Sequence, residues 1–412
     1  MTDSRFPQIP PTETNGHDFV ELLKQVGSDP KAFAERVGPV FRSDPETLLP
    51  MLLNAFDLAP AQIGPLIADQ LKGELRPRMG RILQPVLENP LPERFNWAAT
   101  LLGEALEVSS IPLFIKALGN SHQNVVLAAV RTLALFKNPE ALSALTRFLL
   151  TYSDEVGLSA SFRYLVPLGE HLAADLLTKF PALPHDRQGW IIKFLAETGL
   201  EKALPVFRKA LTEKPLEFGI FAIAGLGRIG NEEAVGLLKD FLHHKEWFLR
   251  KRVVDALSLS KVPQAVPPLI ESLADPSVQI RRAAVESLSK VGSMALDLLI
   301  KALETDSHDL KIGIIRSLGQ IHDRRVVEPL TKSLSDRTAL FFSIDAIGDL
   351  GFSEAAPALI PLLKDAEWFN RLNALEALAN IHAPRLRELA HGCLEDGNDM
   401  VRNAAQRILA SK

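Results

Sequence analysis

The chain has one cysteine in 412 residues, Cys393. That excludes a disulfide framework and any cysteine-built zinc site, and its place in an apolar helical run points to a buried thiol rather than a nucleophile. Tyrosine occurs only twice. No stretch reaches 18 consecutive apolar residues, so nothing reads as a membrane span. No glycine-rich phosphate loop follows a strand pattern, and no Gly-x-Ser-x-Gly elbow or triad is present. The string Gly225-Leu-Gly-Arg-Ile-Gly230 imitates a dinucleotide fingerprint, but it closes a helical run with no strand before it. His243-His244 with Glu246 is the one local histidine cluster, and it lacks the i,i+4 spacing of a helical metal site. Positive charge is not in excess either. Lys+Arg number 46 against 50 Asp+Glu, a net charge of −4, which argues against a nucleic-acid binder. With these signs missing, the sequence nominates no catalytic residue, no metal ligand and no cofactor.

The first 17 residues are polar and proline-rich with no apolar core of a signal peptide. They read as a disordered tail, which makes the cytoplasm the default compartment.

What is present is repetition. The segment Glu246-Trp-Phe-Leu-Arg-Lys-Arg-Val-Val-Asp-Ala-Leu257 returns as Glu367-Trp-Phe-Asn-Arg-Leu-Asn-Ala-Leu-Glu-Ala-Leu378, with six of twelve residues identical. Related copies fill the interval at a period of about 30, the signature of a solenoid. Units starting at 88, 119, 151, 181, 212, 243, 274, 304, 335, 364 and 395 make ten repeats and a final half. Each holds a short polar turn, a first helix, a break and a second helix. In the unit at 274, Val278, Ile280, Ala284, Leu288 and Val291 fall on one helical face. Prolines at 112, 205, 329 and 357 occupy the first turn of second helices, where no intrahelical partner is lost. Gly199, Gly230, Gly292 and Gly351 stand at the breaks as helix C-caps. Each pair is apolar on two sides and must stack to bury itself. Residues 18–87 are helical in pattern but match the repeat poorly, so they read as a cap or as degenerate repeats.

An aspartate followed six residues later by arginine recurs at Asp275/Arg281, Asp365/Arg371 and Asp396/Arg402. With the Ala-rich helix that follows, this pattern resembles HEAT repeats. The period is similar to that of the short subclass first named from phycobilisome lyases. The resemblance covers residues 88–412 and implies an all-α, right-handed solenoid that binds other molecules. It departs from the family at 151–211, where Asp and Arg leave their slots, and at Phe342, which stands in the basic slot of the 335 unit.

Several side chains carry the functional reading. The eighth slot holds Arg250, Arg281, Lys311, Arg371 and Arg402. The resemblance implies a structural ladder in which each cation bonds a turn aspartate. Lys251/Asp255 and Arg282/Glu286 read as i,i+4 pairs on a solvated face. On the second helices stand Lys116, Lys209, Lys301 and Lys332. In HEAT-like arrays the second helices line the concave side, so these lysines are candidates for contact with an acidic protein segment, with plain solubility as the alternative. Trp97 and Trp190 read as core. Trp247-Phe248 and Trp368-Phe369 open first helices and are either wedges between repeats or exposed anchors. The resulting expectation is a non-catalytic scaffold or adaptor that binds a protein in its groove. The alternative is a maturation factor that holds a cofactor or client.

Overall fold

The computed structural model describes residues 19–21, 45–58 and 76–411. The tail expected at 1–17 and most of the segment 18–87 lie outside them. Every regular element among the described residues is helical. The chain divides into two units, residues 1–194 and 195–412.

The second unit shows how the repeat builds itself. Its first helices are Pro215–Ile229, Trp247–Leu257, Val278–Val291, His308–Gln320, Leu340–Leu350, Trp368–Asn380 and Asp399–Ala410. Between them lie shorter second helices, Leu204–Glu213, Glu232–Lys239, Val266–Glu271, Leu296–Ala302, Val327–Ser333, Ala356–Leu359 and Leu386–Gly392. Leu257, Leu288, Leu318 and Leu378 from the first set, and Leu269, Leu299, Leu330 and Leu359 from the second, are wholly buried. Each such side chain contributes about 1.5–3 kcal/mol by leaving water. The fold is an all-α solenoid of stacked helix pairs.

The punctuation follows backbone chemistry. Pro112, Pro205 and Pro357 are the second residues of their helices, and Pro329 is the third. Gly199, Gly230, Gly292 and Gly351 all take positive φ at the breaks. Where a break lacks glycine, Leu106, Lys137 and His382 accept the left-handed conformation instead. An L-residue there costs roughly 1–2 kcal/mol.

Successive first helices pack almost backbone to backbone. A Cβ added to Gly319 would meet the Cβ of Ala346 at 2.7 Å, and one added to Gly227 would meet that of Ala256 at 2.8 Å. Successive second helices touch far less. Stacking is therefore closest between successive first helices.

The same contacts fix the register of the 335 unit. Gly319 against Ala346, and Gly348 against Ala377 at 3.2 Å, align Ala346 with Ala377. Counting back six residues puts Leu340, not Phe342, in the slot held elsewhere by Arg371. The turn is two residues shorter than its neighbours, so Phe342 moves to the open face of the helix.

Candidate partner-binding face

The turns between repeats carry a ladder of charge. Asp275 accepts from Arg250 Nε at 2.8 Å and Nη2 at 3.1 Å, and Asp336 accepts from Lys311 at 2.8 Å. Asp396 accepts from Arg371 Nε at 2.8 Å and Nη2 at 2.7 Å. Each carboxylate also takes an amide two residues on, at Ser277, Thr338 and Asn398. Thr305 and His244 supply that acceptor where aspartate is missing. Leu340 offers no cation to Asp365, and Arg337 from the preceding turn bonds it instead. Arg281 and Arg402 donate to the Asp275 and Asp396 carbonyls of their own turns. The departure at 151–211 has its own solution. Asp154 caps helix Glu155–Leu165, and Arg187 donates to the Tyr152 carbonyl at 2.9 Å. The basic slot is therefore consumed internally.

Electrostatics follow the geometry. Burial would push the Asp275 carboxyl up, but Arg250 and the Ser277 amide outweigh it and hold it low. Lys311 depresses Asp336, Arg337 depresses Asp365, and Arg371 depresses Asp396. Cys393 is buried, and desolvation raises its thiol pKa, the opposite of a primed nucleophile. Among the described residues no cluster of three ligating side chains could hold a metal ion. None of the described helices is long and apolar enough to cross a membrane.

The lysines nominated from sequence do lie on the second helices, and all are exposed. Lys332 bonds Glu328 at 2.7 Å and Lys209 lies 3.9 Å from Glu213. Lys116 and Lys301 have no ion-pair partner among the described residues. Lys209, Lys301 and Lys332 thus stand on the second helices, apart from the row of first helices.

The aromatics behave differently from a core reading. Trp97 is buried, against Phe56 at 5.1 Å between ring centroids. Trp190 is only half-buried, with Lys193 over its ring at 4.6 Å. Trp247 and Trp368 are 49 and 41% exposed, and Phe369 is exposed as well, so these side chains are not wedges. Only Phe248 is half-buried. Position at the first turn of a helix, ahead of the packed face, explains the exposure.

These residues belong to a row that sequence reasoning left unassembled. Leu216, Trp247 and Val278 start three consecutive first helices at a spacing of 31 residues, and each is about half exposed. Phe341, Trp368 and Met400 continue exposed apolar surface at the same helix ends. At Val278 the row runs into a groove of about 500 Å³ between Val278–Val291, His308–Gln320 and Leu340–Leu350. Its floor is Val285, Ile312 and Phe342, with Arg316 over the Phe342 ring at 4.8 Å. The expected pair Lys251–Asp255 forms at 2.9 Å, whereas Arg282 and Glu286 make no bridge and instead line this groove. The signal for the row was one slot of the repeat, at which Leu, Trp and Val recur.

The family profile described as HEAT repeats matches residues 83–166, 217–289, 266–341 and 336–410. The chain belongs to the HEAT-repeat family. The unmatched stretch between 166 and 217 coincides with the repeats in which Asp and Arg leave their slots. This HEAT-repeat chain is 24% identical over 138 residues to the uncharacterized phycocyanin operon protein Z of Pseudanabaena tenuis (strain PCC 7409), covering 31% of this chain and 68% of that protein. Among solved structures, Kap121p is similar with a TM-score of 0.52 at 14% identity, over 96% of this chain and 54% of Kap121p. Kap121p bound to Pho4p is similar with a TM-score of 0.51 at 14% identity, over 95% and 52%. This chain thus spans about half the length of Kap121p, and at that identity the likeness is one of fold.

Proposed function

We propose that this protein is a non-catalytic scaffold or adaptor that holds a protein partner against its first-helix face. The observation that carries this reading is the exposed apolar row Leu216, Trp247, Val278 and Trp368 at matching ends of the first helices. Exposed apolar side chains repeated at one slot mark interaction sites, and tryptophan is enriched at binding hot spots. Trp247, Phe248, Trp368 and Phe369 are the proposed contacts. Kap121p, a solenoid of similar fold, has been solved bound to Pho4p, which supports protein binding as a use of such a stack. The test is quantitative affinity capture with the wild-type chain and a Trp247→Ala/Trp368→Ala variant. Loss of a hot-spot pair costs about 2 kcal/mol or more, roughly thirtyfold in affinity. Equal capture by both chains sinks the proposal.

A second reading is a maturation factor acting on a phycocyanin-type client, and likeness to phycocyanin operon protein Z supports it. Co-expression with a phycocyanin subunit and a bilin is its test. Bilin adduct absorbance that does not depend on this chain removes it.

A further inference from the structure

We infer that the groove between Val278–Val291, His308–Gln320 and Leu340–Leu350 receives a partner segment that sets a lysine or arginine beside an apolar side chain. This deepens the reading of the first-helix face as protein-binding and rests on it.

One repeat carries charges left unmatched. Asp345 and Asp349 lie one turn apart on the same helix, an arrangement that destabilises a helix. Neither has a cation partner among the described residues, and both line the groove with Asp309. At the place of Asp345, two other first helices match their carboxylate with a cation, while Glu286 in the 274 unit makes no bridge. Asp255 has Lys251 at 2.9 Å and Glu376 has Arg407 at 2.9 Å. In the position of Asp349, Glu197 has Arg228 at 3.2 Å. Within the second unit only this repeat has a carboxylate at both places, and neither is paired. Burial raises the Asp349 carboxyl, with the Asp345 charge adding to it and His322 opposing.

Other charged groups facing the groove do not cancel this. Three arginines, Arg281, Arg282 and Arg316, face four carboxylates, Glu286, Asp309, Asp345 and Asp349, and Arg281 and Arg316 are held by carbonyls of the 274 turn and by the Phe342 ring, away from the aspartate pair. Arg282 stands on the same wall as Glu286, which offsets it. The balance is acidic, so an incoming cation gains and an acidic or phosphate-bearing segment is repelled. The floor of Val285, Ile312 and Phe342 would cover an apolar neighbour of that cation. The shortened 335 turn shapes the opening by putting Phe342 among its lining residues.

The experiment uses a phage-displayed library of random linear peptides selected on the full chain. Enriched peptides should place Lys or Arg next to Leu, Ile, Phe or Trp. A synthetic consensus peptide should bind the Asp345→Asn/Asp349→Asn variant about tenfold more weakly than the wild type. Both aspartates are exposed and have no hydrogen-bond or ion-pair partner among the described residues, so the melting temperature of the variant should not fall and relief of their repulsion should raise it slightly, and Asp345→Lys/Asp349→Lys should abolish binding. Enrichment of acidic peptides, or equal affinity for the Asn variant, overturns the inference. If binding survives the Asn variant yet is lost in Trp247→Ala/Trp368→Ala, the groove inference fails and the face stands. Absence of any enrichment, or binding that ignores both variants, contradicts the face and the groove together.

Discussion

Arg371 and Asp396 join two consecutive repeats by two charge-assisted hydrogen bonds of 2.8 and 2.7 Å, and their side chains are only 16 and 10% exposed. The same arginine donates to the Asp365 carbonyl at 2.9 Å, and the same aspartate accepts the Asn398 amide at 2.9 Å. One pair thus closes a turn behind it, caps a helix ahead of it and sets the spacing between.

Replacing Arg371 by Ala leaves Asp396 half-satisfied in a largely buried site. We expect a loss of about 2–3 kcal/mol. Chemical denaturation of the full chain measures it, and hydrogen exchange should place the loss near residues 365–411, because repeats couple mainly to their neighbours. Even loss of protection along the whole chain would contradict the ladder as a local device.

Acid should release the ladder. Asp275, Asp336, Asp365 and Asp396 are all held below the ordinary carboxylate value in the folded chain. A depressed folded pKa contributes stability that is fully present above the unfolded value, near 3.9, and is lost as pH falls toward the folded value. The melting temperature should therefore respond little to these groups between neutrality and about pH 5, then drop steeply below about pH 4. The Asp275→Asn/Asp396→Asn variant should show a shallower acid limb. An identical limb would assign acid sensitivity to other groups.

Most of the architecture was legible because the repeat writes it many times over. The prolines of the second helices and the four break glycines were placed from pattern, and the Asp–Arg slot pointed to a ladder. Three things were not legible, for physical reasons. The close approach of successive first helices depends on Gly227 and Gly319, which a hydrophobic pattern does not encode. A two-residue deletion in the 335 turn shifted the register, so Phe342 was assigned to the slot that Leu340 fills. Large aromatics were expected to be buried, but Trp247 and Trp368 sit in a first turn, ahead of the packed face.

The breaks without glycine give a stabilising substitution. Lys137 caps helix Gln123–Phe136 at φ 51°, ψ 20°. Glycine reaches this region without a Cβ penalty, so Lys137→Gly should raise stability by about 0.5–1 kcal/mol after its larger unfolded-state entropy is subtracted. Thermal unfolding of the two chains checks this. A destabilised glycine variant would show that the lysine stem contributes more than the strain costs.

The account stands or falls on which face meets a partner. A photo-crosslinking amino acid placed singly at Val278, Trp247, Lys301 or Lys332 in the full chain, irradiated in the native cell, reads this directly. Val278 and Trp247 are on the first-helix side, and Lys301 and Lys332 are on the second helices. The account predicts a discrete adduct from Val278 and Trp247, competed by the untagged chain, and none from Lys301 or Lys332. Adducts confined to the two lysine positions would contradict it and return the binding site to the second helices.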